Sequence, residues 1–145
     1  MKNKKIIILI MTVVLITLLA SCGQKVNINA DDVRKYSDTK LENILKASNN
    51  DDYEAYSKDF SSKMKEALNE NNFKEQNKII KSKIGKYESK EFDKVQVKGE
   101  YITAIYKAKY SEEPKDVMIT ITFRNEDENH KVEGLYMISP KLASK

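Results

Sequence analysis

The run Tyr101-Ile102-Thr103-Ala104-Ile105-Tyr106-Lys107-Ala108-Lys109-Tyr110 decides the fold, because its character changes at every second residue. Ile102, Ala104, Tyr106, Ala108 and Tyr110 form one set, and Tyr101, Thr103, Ile105, Lys107 and Lys109 the other. Successive side chains of a strand point to opposite faces, so this period of two predicts a strand with one buried and one wetter face. Val117, Ile119, Ile121 and Phe123 repeat the pattern against Met118, Thr120, Thr122 and Arg124. Weaker strands are predicted over residues 92–98 and 131–138. Turn signals stand between them, at Lys98 and Gly99, at 111–115 with Pro114, and at 125–129. Links this short join antiparallel neighbours, so the second half of the chain is a four-stranded meander.

Upstream of Gly85 the period is helical. Within residues 31–48, Val33, Leu41, Ile44, Leu45 and Ser48 fall near one stripe, with Tyr36 on its flank. Asp31 and Asp32 suit a helix start, where the macrodipole favours anions. Residues 49–52 break the pattern, and Asp51 with Glu54 resembles a capping box for a short second helix bearing Tyr53, Tyr56 and Phe60. A third helix is expected from Ser61 or Ser62, carrying Met64, Ala67 and Leu68, loosening near Asn71 and Asn72, and resuming with Phe73, Ile80 and Ile84. Gly85 is its natural stop. Helices followed by a meander must bury their stripes on one sheet face, so the fold class is α+β, with N-terminal helices packed on a four-stranded antiparallel sheet.

The chain opens differently. Lys2, Lys4 and Lys5 precede an apolar run from Ile6 to Ala20, interrupted only by Thr12 and Thr17. As a helix these residues would span roughly 22 Å, short of the roughly 30 Å hydrocarbon core, which suits a signal peptide better than a permanent span. Leu19-Ala20-Ser21-Cys22 then reads as a lipobox, with cleavage between Ser21 and Cys22 and lipid attachment on Cys22. The alternatives are an ordinary signal peptide with a coincidental cysteine, or an uncleaved anchor. The sole cysteine of the chain stands at the one position lipidation uses, which favours the lipobox. The expected organisation is a signal peptide over 1–21, a lipidated spacer over 22–30, one domain over 31–140 and a tail over 141–145.

Removing the leader changes the charge. The whole chain carries 26 basic against 22 acidic residues, a net of +4; without the three leader lysines the balance is 23 to 22, or +1. Both signs are interleaved, so the clustered basicity of a nucleic-acid binder is missing and no nucleic-acid partner is expected. No second cysteine exists to form a disulfide. One histidine, a lipidated cysteine and scattered carboxylates do not make a zinc set, and residues 125–129 lack EF-hand spacing and suit a charged hairpin tip. The four glycines include no phosphate-binding cluster, no serine sits in a nucleophile elbow, and no metal or cofactor is expected.

The order Leu41, Tyr53, Phe60, Met64, then Ile84-Gly85-Lys86-Tyr87, then Tyr106-Lys107-Ala108-Lys109-Tyr110, then Val132-Glu133-Gly134-Leu135-Tyr136 resembles the uncharacterised lipoprotein domain of the nuclear-transport-factor-2-like (NTF2-like), or cystatin-like, superfamily. The resemblance covers nearly all of the chain after the leader. It implies a curved sheet wrapped around a long helix, a cone with a cavity at its open end. The wider superfamily includes isomerases, dehydratases, binding modules and accessory domains, so fold alone does not choose among them.

An enzyme of isomerase or dehydratase type would need an inward acid or base with an oxyanion partner such as tyrosine. Tyr53, Tyr56, Tyr106 and Tyr136 are the candidates for lining a cavity, and the alternative is that they are core or rim residues. His130 falls beside a polar turn, where a solvated role is expected, and Asp93 and Asp116 lie at strand edges. No catalytic residue is assigned. The expected function is therefore a membrane-anchored, extracytoplasmic, non-catalytic binding or interaction module, with an envelope protein or a small apolar ligand as partner. An enzyme using the cone, or a protective lipoprotein that blocks an envelope process, is the alternative. Met118, Leu135 and Met137 would support binding if they share an outer face, whereas a bulge near Gly134 would turn Leu135 and Met137 into the core. Cys22→Ser is expected to leave the chain unprocessed and unlabelled by radioactive palmitate; unchanged labelling would refute the lipobox.

Overall fold

Asn29 opens the first helix. Its side-chain oxygen accepts from the Asp31 backbone N–H at 2.9 Å, satisfying a donor that every helix start leaves free, and α1 runs from there over Ala30–Asn49. The computed structural model describes residues 28–144. The expected signal peptide, its cleavage site at Ser21 and Cys22, and most of the spacer lie outside the described residues. Of the sequence stripe, Val33, Leu41, Ile44 and Leu45 are buried and Ser48 is half-buried, while Ser37 and Ala47 join the buried face.

Two short-range expectations shift by a residue or more. Asp52, not Asp51, caps α2 (Tyr53–Ser57), accepting from the Ala55 N–H at 3.0 Å. An N-cap needs extended backbone, and Asp51 stands at φ 57, a left-handed conformation that aspartate tolerates. After α3 (Ser62–Ala67) the chain breaks at Leu68 and Asn69 rather than at Asn71 and Asn72. The Asn69 side chain accepts from the N–H groups of both later asparagines at 3.1 Å, starting α4 (Glu70–Ile84). Gly85 ends α4 at φ 79, as its sequence position predicts.

The sheet is the expected meander, with β1 (Tyr87–Lys98), β2 (Tyr101–Tyr110), β3 (Glu113–Arg124) and β4 (Val132–Ile138) in spatial order, each antiparallel to the next. β1 begins five residues earlier than residue 92, the sequence estimate. Its alternation is obscured by register shifts between Tyr87 and Ser89 and between Phe92 and Lys94. The inner set, including Tyr106, Val117, Ile119, Ile121 and Phe123, is fully buried with Leu41 and Ile44 of α1. The helices and the open sheet thus form the α+β architecture that the two periods predict. The residues expected as a tail begin inside α5 (Pro140–Ala143), which Glu113 holds by accepting from the Lys141 N–H at 3.1 Å.

Gly85 also meets the turn between β2 and β3, since a Cβ added there would lie 2.1 Å from Ser111 Oγ and 3.0 Å from the Glu112 backbone nitrogen. Gly99, at φ 59, has open space around it. Gly85→Ala should therefore cost about 1–3 kcal/mol, and more than Gly99→Ala. Urea unfolding of the two variants measures the order.

Candidate functional site

Lys90 enters the interior from an inward position of β1, directly opposite Ala108, whose small side chain leaves room for it. Its side chain is only 5% exposed, and its ammonium lies 2.7 Å from Asp38 and 3.2 Å from Glu42. These two carboxylates stand four residues apart on one face of α1. Tyr87 donates its hydroxyl hydrogen to Glu42 at 2.7 Å, and the Lys90 ammonium sits 5.3 Å from the centroid of the Tyr106 ring. The hydroxyls of Tyr106 and Ser37 share a buried hydrogen bond of 2.7 Å.

The electrostatics are those of a satisfied structural network. Burial pushes the Tyr106 phenol up to about 12, against the opposing Ser37 bond, and burial together with Glu42 raises Tyr87. Partial burial works against the Glu42 charge, but bonds from Tyr87, Lys46 and Lys90 outweigh it and hold this carboxyl below its ordinary value. Glu42, Asp51, Glu113, Asp116 and Asp127 are all displaced downward. A general acid needs the opposite displacement. Among the described residues every buried side-chain nitrogen and oxygen has a partner, and no three His, Cys, Asp or Glu side chains gather as a metal set.

The four candidate tyrosines do not come together. Tyr53 and Tyr56 pack on Phe73 in the helical layer, with ring centroids 5.6 and 4.5 Å away, and Tyr53 donates to the Leu68 carbonyl. Tyr106 is core. Tyr136 lies on the opposite, outer face and is 65% exposed, because it pairs with Thr120, which pairs with Ile105. His130 is in the turn, but it is half-buried, its ring stacked 3.9 Å from Tyr36, which in turn meets Phe123 edge-on. Asp127 organises that turn by accepting from the Asn129 and Lys131 N–H groups, the role expected of a hairpin tip.

The outer face and the β4 edge carry the apolar surface. A register shift at Thr122 and Phe123 leaves Glu133 unpaired, and this bulge next to Gly134 turns Leu135 and Met137 towards the core. The bulge alternative is thus the one that holds, and the shared outer face of Met118, Leu135 and Met137 does not exist. In its place Tyr136 and Ile138, the latter 53% exposed, stand beside Met118 and Thr120. β4 is also the sheet's last strand. Its first residue is engaged by the link between α2 and α3, with Ser61 N–H on the Val132 carbonyl at 3.0 Å and Val132 N–H on the Asp59 carbonyl at 2.9 Å, and α3 contacts the strand, but no further strand covers the edge among the described residues. The opposite edge, β1, carries six charged residues in twelve; β4 carries only Glu133 in seven. Charges and bulges protect sheet edges from pairing, and β4 lacks the charges.

A family model described as Protein of unknown function (DUF3887) matches residues 41–135. The chain belongs to this family. No curated protein and no solved structure matches it. The DUF3887 match begins at Leu41 and ends at Leu135, so it takes in Glu42, Tyr87, Lys90 and Tyr106 of the network and the first four residues of β4, while Ser37 and Asp38 lie before it.

Sequence inspection passed over Lys90, although its parity with inward Phe92 was the available signal. The network yields an acid-stability prediction. The lowered Glu42 carboxyl contributes stability that is present above its unfolded value, about 4.3, and is lost as pH falls through the folded value. Glu42→Gln should therefore flatten the fall of stability between about pH 5 and 3, as followed by denaturation at a series of pH values.

Proposed function

We propose that this chain is a lipoprotein anchored through Cys22 on the outer side of the cytoplasmic membrane, whose domain is a non-catalytic interaction module for another envelope protein. The carrying observation is the β4 edge, where Tyr136 and Ile138 remain exposed beside Met118 on a strand with one charge. Contiguous exposed apolar surface on a domain marks a contact site, and an uncovered edge offers backbone donors and acceptors to an extended segment. The filled inner face supports the same reading over a small ligand held inside a cone, since Tyr106, Phe123 and Ile119 occupy that space. We also infer kinship with the NTF2-like superfamily, supported by a long helix lying across the inner face of an antiparallel sheet. No helix of the described residues is long and apolar enough to cross a membrane. The anchor in this proposal is the lipid, since a diacylated cysteine holds a chain stably where a single acyl chain does not.

The test places a photo-reactive residue at position 136 of the full chain in its native membranes. A discrete adduct with one envelope protein is expected, and it should disappear in Ile138→Ser and be missing when the probe stands at Gln96, on the outer side of β1. Equal adducts from both positions, or none from position 136, would refute the interface.

A further inference from the structure

The interleaving of charge along the chain has one exception, at α4 and the residues just after it. Residues 74–86 contain Lys74, Lys78, Lys81, Lys83 and Lys86 against Glu75 alone, a net of +4, so the rest of the chain after residue 21, whose total is +1, carries −3. Lys74, Lys78 and Lys81 recur every three or four residues along the solvent side of α4, where such side chains are neighbours with about 5–6 Å between Cβ atoms. With Ser82 and Asp51 they line a surface hollow of about 520 Å³. The hollow has a built wall: the buried Asn77 amide donates to the Ser48 carbonyl at 2.8 Å and to Asp51 at 2.6 Å, and Asp51 in turn takes the Lys81 ammonium at 2.6 Å. Lys74 shares Glu70, whereas Lys78 has no carboxylate within ion-pair distance among the described residues.

We propose that this row binds a linear polyanion with repeating phosphate groups. A chain of phosphates matches a row of ammonium groups one helical turn apart, and each neutralised phosphate releases counterions, so binding is strong at low salt and falls with added salt. A flat anionic bilayer fits less well. α4 offers only Ile79 as an exposed large apolar side chain to insert. The position agrees: Ser48, bonded to Asn77, lies at the far end of α1 from Ala30, about 27 Å along the helix. On the tethered reading of the Proposed function, that end is the one opposite the end of α1 that leads to the lipid-bearing spacer.

The experiment uses the full chain in non-ionic detergent and long-chain inorganic polyphosphate as the probe, at roughly 50 and 200 mM salt. Lys74→Gln with Lys78→Gln, which leaves the Lys81–Asp51 pair intact, should weaken binding about tenfold and lower its salt dependence. Lys94→Gln with Lys98→Gln removes the same charge from β1 and should bind as the parent does. The proposal is overturned if the two double variants lose equally, if the parent does not bind at the lower salt, or if phosphatidylglycerol vesicles bind through Lys74 and Lys78 while polyphosphate does not. None of these results depends on the β4 contact, so the two readings fail separately.

Discussion

The hydroxyl of Tyr106 constrains how everything else can lie. The ring is fully buried in the middle of the sheet's inner face, and a phenol taken from water without a partner is costly. Ser37 of α1 supplies that partner. Once this bond forms, both the rotation of α1 about its axis and its position along the sheet are set. Tyr36 then falls on Phe123, Arg34 on Phe92, and Asp38 and Glu42 on Lys90. At the far end Asn49 closes on the start of β1, bonding both the N–H and the carbonyl of Tyr87. One polar contact in an apolar layer thereby selects a single docking of helix on sheet, which apolar stripes alone leave loosely specified.

The parts legible in the sequence are those set by period and by glycine. The alternation in residues 101–110 and 117–123, the stripe of α1 and the stop at Gly85 each follow from one local rule, and the exceptions are single residues: Ile105 is buried although it stands in the wetter set, and Ala47 is buried in place of Ser48. What escaped were decisions between equivalent neighbours. Asp51 and Asp52 are chemically alike, and only the left-handed backbone at Asp51 makes Asp52 the cap. Asn69, Asn71 and Asn72 present the same side chain, and the choice of Asn69 follows from Leu68 turning inward. At β4 one unpaired residue, Glu133, reverses the faces of all that follow, so an apolar surface predicted from Leu135 and Met137 moves to Tyr136 and Ile138.

The same displacement explains why the candidate site was only half visible. Tyr136 was singled out as a cavity residue, and it is the exposed residue of the β4 patch instead. Lys90 was assigned no role because lysine in a strand is usually a solvated residue. Here the carboxylates that admit it come from a helix about fifty residues earlier, a pairing that strand periodicity does not show. The burial of that lysine is structural: it lets β1 carry charge on both faces, which protects this edge from pairing while α1 lies across its inner side.

The two edges of the sheet are thus treated in opposite ways within one fold. β1 has register shifts, alternating charge and α1 against it, whereas β4 has α3 beside it, a single bulge at its start and then five residues without charge. A general need for solubility would act on both edges alike. Retaining Tyr136 and Ile138 outward on the unprotected edge carries a risk of aggregation that a polar substitution at either position would reduce, without touching the core on the other face. Such a surface is consistent with a role only if something covers it. On the anchored reading proposed above, lipid attachment would raise the local concentration of envelope partners, so that a short edge with two apolar anchors would suffice for recognition where the same surface free in solution would bind weakly.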